Sequence, residues 1–229
     1  MNEKKHDLTE RDCKMLEHVA RYRIATDAIF RTVFFPNVQD NGPPRKVAVR
    51  LVENKYLREF RIKGTSCYYV LAPRGARLLK LKPKEPRPFT EQSLPGTLAV
   101  AYYCATRGIK RFTAREFGIK FPELCRPGLR CSSYFLEETG GGLCLSSFLL
   151  DRGATARRIQ GKIRNVIRQR YALKPFASLI QAGRFQIVVL TGYQAKQKEL
   201  QTDLAKRHRG PVKVRVEVVP ELGTFLSGE

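Results

Sequence analysis

Basic side chains are concentrated in two parts of the chain, and both have the chemistry of an anion-binding surface. The first part follows a Pro-Pro pair and contains Arg45, Lys46 and Arg50. Arg can donate two hydrogen bonds to guanine in the major groove, and Lys and Arg also bind phosphate oxygens. The second part, residues 152–198, contains eleven Lys and Arg residues and neither Asp nor Glu. Such clusters indicate a polyanionic partner.

The second basic part includes a helix predicted over Thr155–Tyr171. Four aliphatic residues recur at helical spacing and define its buried stripe, namely Ile159, Ile163, Val166 and Ile167. Arg157, Arg164 and Arg168 then share the opposite face. Charges of one sign at i, i+4 spacing repel each other by a few tenths of a kcal/mol per pair, which indicates a compensating anion such as a phosphate. A bare solvated face is the alternative.

The overall composition also favours an anionic partner. The 229 residues include 43 Lys and Arg against 21 Asp and Glu, which gives a formal net charge of +22 and a pI near 10.1. With 42% hydrophobic residues the chain can bury a core, and its length predicts two domains. The sequence has neither an apolar run long enough for a membrane span nor a signal peptide. We therefore expect a cytoplasmic, nucleoid-associated protein without a membrane partner.

The sequence carries no pattern typical of a metal site or of a catalytic centre. Its six cysteines are scattered without a Cys-x-x-Cys pair, and His6, His18 and His208 lie far from them in the chain, which argues against zinc. There is no Gly-x-x-x-x-Gly-Lys-Ser/Thr phosphate loop and no Ser/His/Asp set. These observations predict no cofactor, no metal and no catalytic residue, with the thiols reduced in an intracellular protein.

Local patterns in residues 1–81 predict three helices followed by a β-hairpin. Thr9 and Asp12 form a capping-box pattern for a helix over Glu10–Tyr22, and Thr26 can cap a second helix. The Pro-Pro pair opens a third helix, because proline is tolerated in a first helical turn. Two strand-like runs, 56–62 and 67–71, flank a glycine-containing turn, and a short helix follows from Pro73.

This order of elements is typical of a winged helix, in which the third helix enters the major groove. Val47 and Leu51 are expected on the buried side of that helix, with the three basic residues on the other side. The hairpin residues expected to reach a phosphate or the minor groove are Arg61, Lys63, Thr65 and Ser66. Polarity alone would also produce such a turn in hairpins that contact nothing.

A proline-rich segment separates the two predicted domains. Residues 82–90 contain three prolines within six positions, which disfavours a regular helix and predicts a linker between domains at 1–81 and 91–229. Beyond it, helices are predicted over 94–107, 155–171 and 195–207. Strands are predicted over 130–137, 143–150, 186–191 and 212–218. The predicted fold class is α+β, a winged helix-turn-helix followed by an α/β domain.

The order of these features resembles the replication-relaxation family of plasmid and mobile-element proteins. In the first half the resemblance depends on Leu8–Asp12, Leu57–Arg58 and Tyr69–Gly75. In the second half it depends on Leu94–Val100, Arg126–Gly128, Leu149–Gly153, Lys162 and Val188–Thr191. The resemblance implies that the second domain is a distant relative of the PD-(D/E)xK nuclease fold. Active members of that fold hold Mg²⁺ with carboxylates on adjacent strands.

The sequence departs from the nuclease pattern at the positions that matter for cleavage. Gly128 stands after the proline where the pattern needs Asp, and the strand 143–150 has neither an acid nor a lysine. The conceivable metal ligands are then Glu137, Glu138 and Asp151. Since a single carboxylate cannot clamp Mg²⁺, we expect an inactive nuclease-like scaffold.

The resulting hypothesis is a non-enzymatic, duplex-DNA-binding protein of a plasmid, phage or mobile element. It would act in replication, mobilisation or transcription regulation. A homodimer is compatible with readout of two half-sites, although no residue pattern requires one. Two alternatives stay open, a metal-dependent endonuclease with a non-standard site and an RNA-binding or ribosome-associated protein, because a charge of +22 suits either nucleic acid.

Overall fold

The protein has a mixed α+β architecture divided into two compact units. The computed structural model describes residues 8–62, 66–129 and 131–226. The first unit is Met1–Ala101 and the second is Tyr102–Glu229. The first contains a two-stranded sheet and the second a four-stranded sheet. The division falls inside a helix, Leu94–Arg107, rather than at the proline-rich segment.

The first unit begins with three helices, α1 (Glu10–Tyr22), α2 (Asp27–Phe34) and α3 (Gly42–Glu53). Thr9 and Asp12 form the predicted capping box at the start of α1, and the Thr26 side chain caps α2. These predictions are confirmed because an N-cap depends on a few adjacent residues. Strands β1 (Leu57–Arg61) and β2 (Cys67–Leu71) pair antiparallel, and α4 (Pro73–Leu78) follows them.

The buried side of α3 differs from the prediction. Pro44, Ala48 and Leu51 are buried at i, i+4, i+7 spacing, whereas Val47 is only half-buried. Leu51 is buried as predicted, whereas Val47 lies at the edge of the buried side and the small Ala48, which was not predicted, is fully buried. At 100° per residue, Lys46 then lies on the far side of the helix from the buried stripe.

The proline-rich segment packs against the first unit. Residues 81–90 form neither helix nor strand. The Phe89 amide donates to the hydroxyl of Tyr68 at 2.9 Å, and the Arg23 guanidinium lies 5.2 Å from the centre of the Phe89 ring. Glu85 pairs with Arg58 at 2.7 Å. These contacts give the segment a defined path along the surface of the first unit.

His18 gives the first unit a pH-dependent stability. Its ring lies 4.5 Å from Tyr22 and 5.7 Å from Phe34, and its Nε2 atom is buried without a hydrogen-bond partner. Burial lowers the pKa of His18 from 6.5 to about 4, with a smaller effect of the Arg21 charge. The unfolded chain therefore takes up a proton between these pH values while the folded chain does not, so that stability falls as the pH falls from 6.5 to 4.

We predict that acidification from pH 7.5 to pH 5 costs about 2 kcal/mol of stability through His18, on the scale of 1.36 kcal/mol per pKa unit. Urea denaturation of the wild type and of His18→Leu at both pH values measures the difference. The variant should lose this part of the pH dependence, and His208→Gln should retain it. The same pH dependence in wild type and His18→Leu would contradict the assignment.

The second unit contains most of the remaining elements. It begins with the end of α5 (Leu94–Arg107), followed by α6 (Ala114–Lys120). Next come the strands β3 (Tyr134–Thr139) and β4 (Gly142–Leu150) and the helices α7 (Ala156–Tyr171) and α8 (Lys174–Gln181). They are followed by β5 (Phe185–Thr191), α9 (Gln194–Arg207), β6 (Lys213–Val218) and α10 (Pro220–Leu226). Two short 3-10 turns, Pro122–Leu124 and Cys131–Ser133, precede β3. The helices predicted around α5, α7 and α9 and the later strands are confirmed, whereas α6 and α8 were not predicted.

The four strands form one mixed sheet in sequence order. β3 pairs antiparallel with β4, and β4, β5 and β6 run parallel. One face of the sheet packs against α6 to α9 through a core that includes Phe117, Leu145, Ile159, Ile163, Phe176, Ile180, Ile187, Val189, Leu200, Leu204 and Val216. The predicted first strand began at residue 130, but the 3-10 turn Cys131–Ser133 delays its start to Tyr134.

Candidate nucleic-acid interface

Arg50, a predicted groove residue, is held by a buried carboxylate. Its Nη2 atom donates to both carboxylate oxygens of Asp12, at 2.7 and 2.8 Å. The Asp12 side chain is fully buried, and 45% of the Arg50 side chain is exposed. Asp12 also accepts a hydrogen bond from the Thr9 amide at 2.9 Å. Arg50 therefore joins the end of α3 to the start of α1, and its contact with DNA stays a prediction.

Arg45 is also part of an internal network. Its Nη1 atom lies 3.2 Å from Oδ2 of Asp27, whose Oδ1 accepts a hydrogen bond from Tyr69 at 2.8 Å. Burial raises the pKa of the Tyr69 hydroxyl, with the hydrogen bond to Cys67 contributing in the same direction. Half of the Arg45 side chain, 50%, is still exposed, so the guanidinium faces solvent while Asp27 orients it.

The remaining predicted residues of the first unit are more exposed or lie outside the description. Lys46 is exposed on α3, and Arg61 is exposed at the end of β1. Lys63 and Thr65 lie outside the described residues. The amide of Ile62 donates to the Ser66 carbonyl at 2.9 Å, which extends the hairpin pairing beyond the two strands. Among the described residues, Lys46 and Arg61 are thus the predicted basic contact residues of this unit that form no internal ion pair.

The three predicted arginines of α7 share one exposed face. Ile159 and Ile163 are buried on the opposite side, as the spacing predicted. Arg157, Arg164 and Arg168 are all exposed and fall within roughly 60° of one another around the helix axis. Arg168 donates to the Asn165 side chain at 2.8 Å.

A cleft between α7 and α9 gathers part of this face into a basic pocket. Its volume is about 340 Å³, and it is lined by Arg157, Gln160, Ile163, Arg164, Leu204, Arg207 and His208. Arg207 and His208 come from the end of α9 and were not predicted as contact residues. The basic run 206–209 was the available signal, but only packing of Leu204 and Ile163 in the common core brings that run beside α7.

The acidic residue Asp203 adjoins the cleft and pairs with one of its arginines. The Arg207 Nε atom lies 3.1 Å from Asp203, and the Gln160 side chain donates to the Asp203 carbonyl at 3.3 Å. The His208 ring is held by the Val212 carbonyl at 2.7 Å. Arg157 and Arg164 have no acidic partner in the described part of the chain, so the cleft retains an excess of positive charge.

The acid-free segment is not basic surface throughout. Arg170, near the end of α7, is only 6% exposed. Its guanidinium lies 5.4 Å from the centre of the Tyr134 ring and donates to the Val166 carbonyl at 3.1 Å. Stacking of a guanidinium on an aromatic face stabilises the charge within the core. Arg170 is thus a core residue of the second unit rather than a contact residue.

Gly161 lies in the middle of α7, four residues after Arg157 and three before Arg164. A Cβ atom at this position would have no atom within 4 Å, so the fold does not need glycine there. Glycine in a helix interior costs about 0.5 to 1 kcal/mol relative to alanine. Its presence exposes the helix backbone between two arginines.

We predict that Gly161→Ala stabilises the protein by about 0.5 to 1 kcal/mol, as measured by urea denaturation. Gly183→Ala is the matched control, because its Cβ would also meet open space but its φ of +66° disfavours a side chain. That control should be destabilised by about 1 kcal/mol. Equal effects of the two substitutions would contradict the explanation.

The carboxylates considered as metal ligands of a nuclease make hydrogen bonds or ion pairs within the second unit, or point away from them. Asp151 is 1% exposed and accepts hydrogen bonds from the Ala154 amide at 2.9 Å and the Thr191 hydroxyl at 3.2 Å. Glu137 pairs with Arg215 at 2.9 Å. Neighbouring strand residues point to opposite faces, so Glu138 turns away from Glu137. These residues do not fit a metal site, and within residues 8–62, 66–129 and 131–226 no three His, Cys, Asp or Glu side chains cluster around a possible ion.

A polar network covers part of the other sheet face in the second unit. Arg215 on β6 pairs with Glu137 on β3 and with Glu217, and Glu217 pairs with Arg107 at 2.8 Å. Gln186 on β5, which is 1% exposed, donates to Glu137 at 2.7 Å. Each charged member has an oppositely charged partner, so the network fastens strands and α5 together rather than presenting a free charge.

Comparison of the chain with protein-family models, with curated proteins and with solved structures found no match. In the part of the chain that the structure describes, no helix is both long and apolar enough to cross a membrane. The assignment of function therefore depends on the geometry and charge of the two units.

Proposed function

We propose that this chain is a non-enzymatic protein that binds duplex DNA. The observation that carries the proposal is the α7–α9 cleft, where Arg157, Arg164 and Arg207 converge from two helices. Asp203 pairs with Arg207, but Arg157 and Arg164 have no acidic partner among the described residues, so the cleft carries a net positive charge that a phosphate backbone would neutralise. The net charge of +22 extends the attraction over the whole molecule.

The first unit supports recognition of a duplex through a winged-helix arrangement. Its order is three helices, a hairpin and a short helix. Ala25, between α1 and α2, exchanges backbone hydrogen bonds with Tyr69 at 2.8 and 3.1 Å, which adds a third short strand beside the hairpin. In this reading α3 enters the major groove with Lys46 pointing outward, and the arginines paired with Asp12 and Asp27 fix its orientation.

The second unit supports affinity rather than cleavage. We take its antiparallel pair β3–β4, followed by helices and the parallel strand β5, as support for the proposed degenerate PD-(D/E)xK scaffold. β4 has no acid, and Asp151 just beyond it is engaged by the turn that it caps. The resemblance to the replication-relaxation family, and with it a role in replication, mobilisation or transcription of a mobile element, stays part of this proposal.

The test is competition between nucleic acids for the full chain. A fluorescein-labelled 25-bp duplex of mixed sequence is bound at about 0.1 M salt, and unlabelled duplex DNA, hairpin RNA and single-stranded DNA are titrated in. Duplex DNA should displace the probe at a lower concentration than either competitor, and log K should fall linearly with log salt. Stronger competition by RNA would favour the ribosome-associated alternative and overturn the proposal.

The same preparation tests the enzyme alternative. Supercoiled plasmid incubated with excess protein and either Mg²⁺ or Mn²⁺ should stay intact, because the acids near the strand ends are paired or buried. Metal-dependent nicking that copurifies with the chain and is lost in Glu137→Gln would replace the binding proposal with the endonuclease.

A further inference from the structure

Two cysteines of the second unit lie with their sulfur atoms in contact. The Sγ atoms of Cys125 and Cys131 are 3.5 Å apart. Both are free thiols, Cys125 exposed and Cys131 half-buried. A disulfide has an S–S distance of about 2.05 Å, so a movement of about 1.5 Å would join them.

A tight turn creates this proximity. The Leu129 amide donates to the Arg126 carbonyl at 3.1 Å, which closes a β-turn with Pro127 and Gly128 at its centre. Proline fixes its own φ, and the φ of +89° at Gly128 is the left-handed conformation that glycine adopts readily. The turn reverses the chain between Cys125 and Cys131, and the two sulfur atoms lie side by side.

The backbone on both sides of the turn is also held. The Cys125 amide donates to the Pro122 carbonyl at 3.1 Å, at the end of one 3-10 turn. Cys131 begins the other 3-10 turn, which leads into β3. Both cysteines therefore lie in hydrogen-bonded turns rather than in a flexible loop. This order lowers the entropic cost of forming a disulfide between them.

We propose that Cys125 and Cys131 are a thiol–disulfide modification site that closes reversibly in the folded protein. The exposed Cys125 is the sulfur that an oxidant reaches first, and Cys131 resolves the intermediate. The remaining four cysteines differ in setting, since Cys67, Cys104 and Cys144 are buried and Cys13 is half-buried on α1. Metal binding does not explain the pair, because no third ligand completes a cluster among the described residues.

The chemistry balances with a small-molecule disulfide such as glutathione disulfide as the oxidant. The Cys125 thiolate attacks one sulfur of that disulfide, forms a mixed disulfide and releases one glutathione thiolate. The Cys131 thiolate then attacks Cys125 Sγ, forms the protein disulfide and releases the second glutathione. The two protons lost by the cysteines end on the two glutathione molecules, and the two electrons lost by the protein reduce the oxidant.

The experiment equilibrates the full chain in glutathione buffers of graded oxidised-to-reduced ratio, quenches with acid, and alkylates the free thiols. Intact-mass and peptide mass spectrometry then locate each modification. The expected product has lost two hydrogen atoms and contains a cross-linked 125–131 peptide. Cys131→Ser should stop at the mixed disulfide on Cys125, and Cys125→Ser should form no protein disulfide.

Two further variants make the result decisive. Cys13→Ser, a half-buried cysteine on α1, should oxidise like the wild type. Gly128→Ala disfavours the positive φ of the turn, and the reduced protein relieves this strain by opening the turn and separating the two sulfur atoms, so the variant should need an oxidised-to-reduced ratio about tenfold higher for half closure. Wild type that keeps both thiols alkylatable in oxidised glutathione, or that accumulates the mixed disulfide as its final product, would overturn the proposal.

Discussion

Replacing Arg157, Arg164 and Arg207 together by glutamine is expected to lower the affinity for a mixed-sequence duplex by about a hundredfold or more at 0.1 M salt. Each phosphate contact contributes about 0.9 to the slope of log K against log salt, which amounts to nearly one decade in K between 1 M and 0.1 M salt. Loss of three contacts should therefore also lower the slope by about 2.7. Titrations at four salt concentrations measure both quantities.

Glutamine is chosen because it retains part of the side-chain stem and a polar end. The three arginines are exposed and line the cleft without filling the core, so the fold should be unaffected. A matched variant removes the same charge elsewhere in the second unit, at Arg126, Lys174 and Arg184, none of which lines the cleft. This control should lower the affinity much less.

The comparison between the two triple variants decides whether the cleft is an interface or only part of a diffuse charge. If both variants lose affinity equally, the net charge of the chain accounts for binding and the cleft has no special role. If neither loses affinity, the first unit alone binds the duplex. The proposal requires that the cleft variant loses more affinity, and more of the slope of log K against log salt, than the control variant.

Asp12→Ala is expected to destabilise the first unit by about 2 to 4 kcal/mol. Asp12 is fully buried, completes the Thr9 capping box and accepts two hydrogen bonds from Arg50. Loss of the cap accounts for about 1 kcal/mol. The remainder comes from the ion pair, reduced by the solvent exposure of the guanidinium. Urea denaturation followed by circular dichroism measures the loss, and hydrogen exchange of the α1 amides assigns it to this unit.

The matched control is Glu10→Ala in the same helical turn. Glu10 pairs with Lys14 at 2.6 Å, but its side chain is 83% exposed, so removal should have little effect. Asp12→Ala combined with Arg50→Ala should be less destabilising than the sum of the single changes, since both remove the same pair. Additive effects, or equal effects at positions 10 and 12, would contradict the role assigned to Asp12.

The ion pair between Asp12 and Arg50 also affects how the predicted groove residues should be tested. Arg50→Ala leaves the buried carboxylate of Asp12 without its partner and so destabilises the first unit. Weaker DNA binding by that variant could then come either from a lost contact with DNA or from this loss of stability. Lys46→Gln avoids the problem because Lys46 is exposed and lies opposite the buried stripe. It is the more informative substitution for groove binding.

Local sequence determined where most of the elements lie. The caps at Thr9, Thr26 and Thr155 involve hydrogen bonds across three residues, so their patterns are visible in the chain itself. The alternation of valines in 212–218 similarly predicts β6, because successive strand side chains point to opposite faces. The outward face of α7 follows from the same kind of short-range periodicity.

Helices α6 and α8 show where local patterns were insufficient. α6 has seven residues and α8 has eight, too short for several turns of apolar periodicity. Short helices are marginal in isolation and gain their stability from tertiary packing. Phe117 and Phe176, both fully buried, supply that packing in the second unit.

The sequence by itself thus determined the strong positive charge, the order of most of the elements and the exposed arginines of α7. Only the tertiary structure decided which charges are already paired. Arg45 and Arg50 meet acids 18 and 38 positions away in the chain. It also brought the end of α9 beside α7. Charge and periodicity depend on residue type and nearest neighbours, whereas a cleft or an ion pair depends on how distant elements pack into a common core.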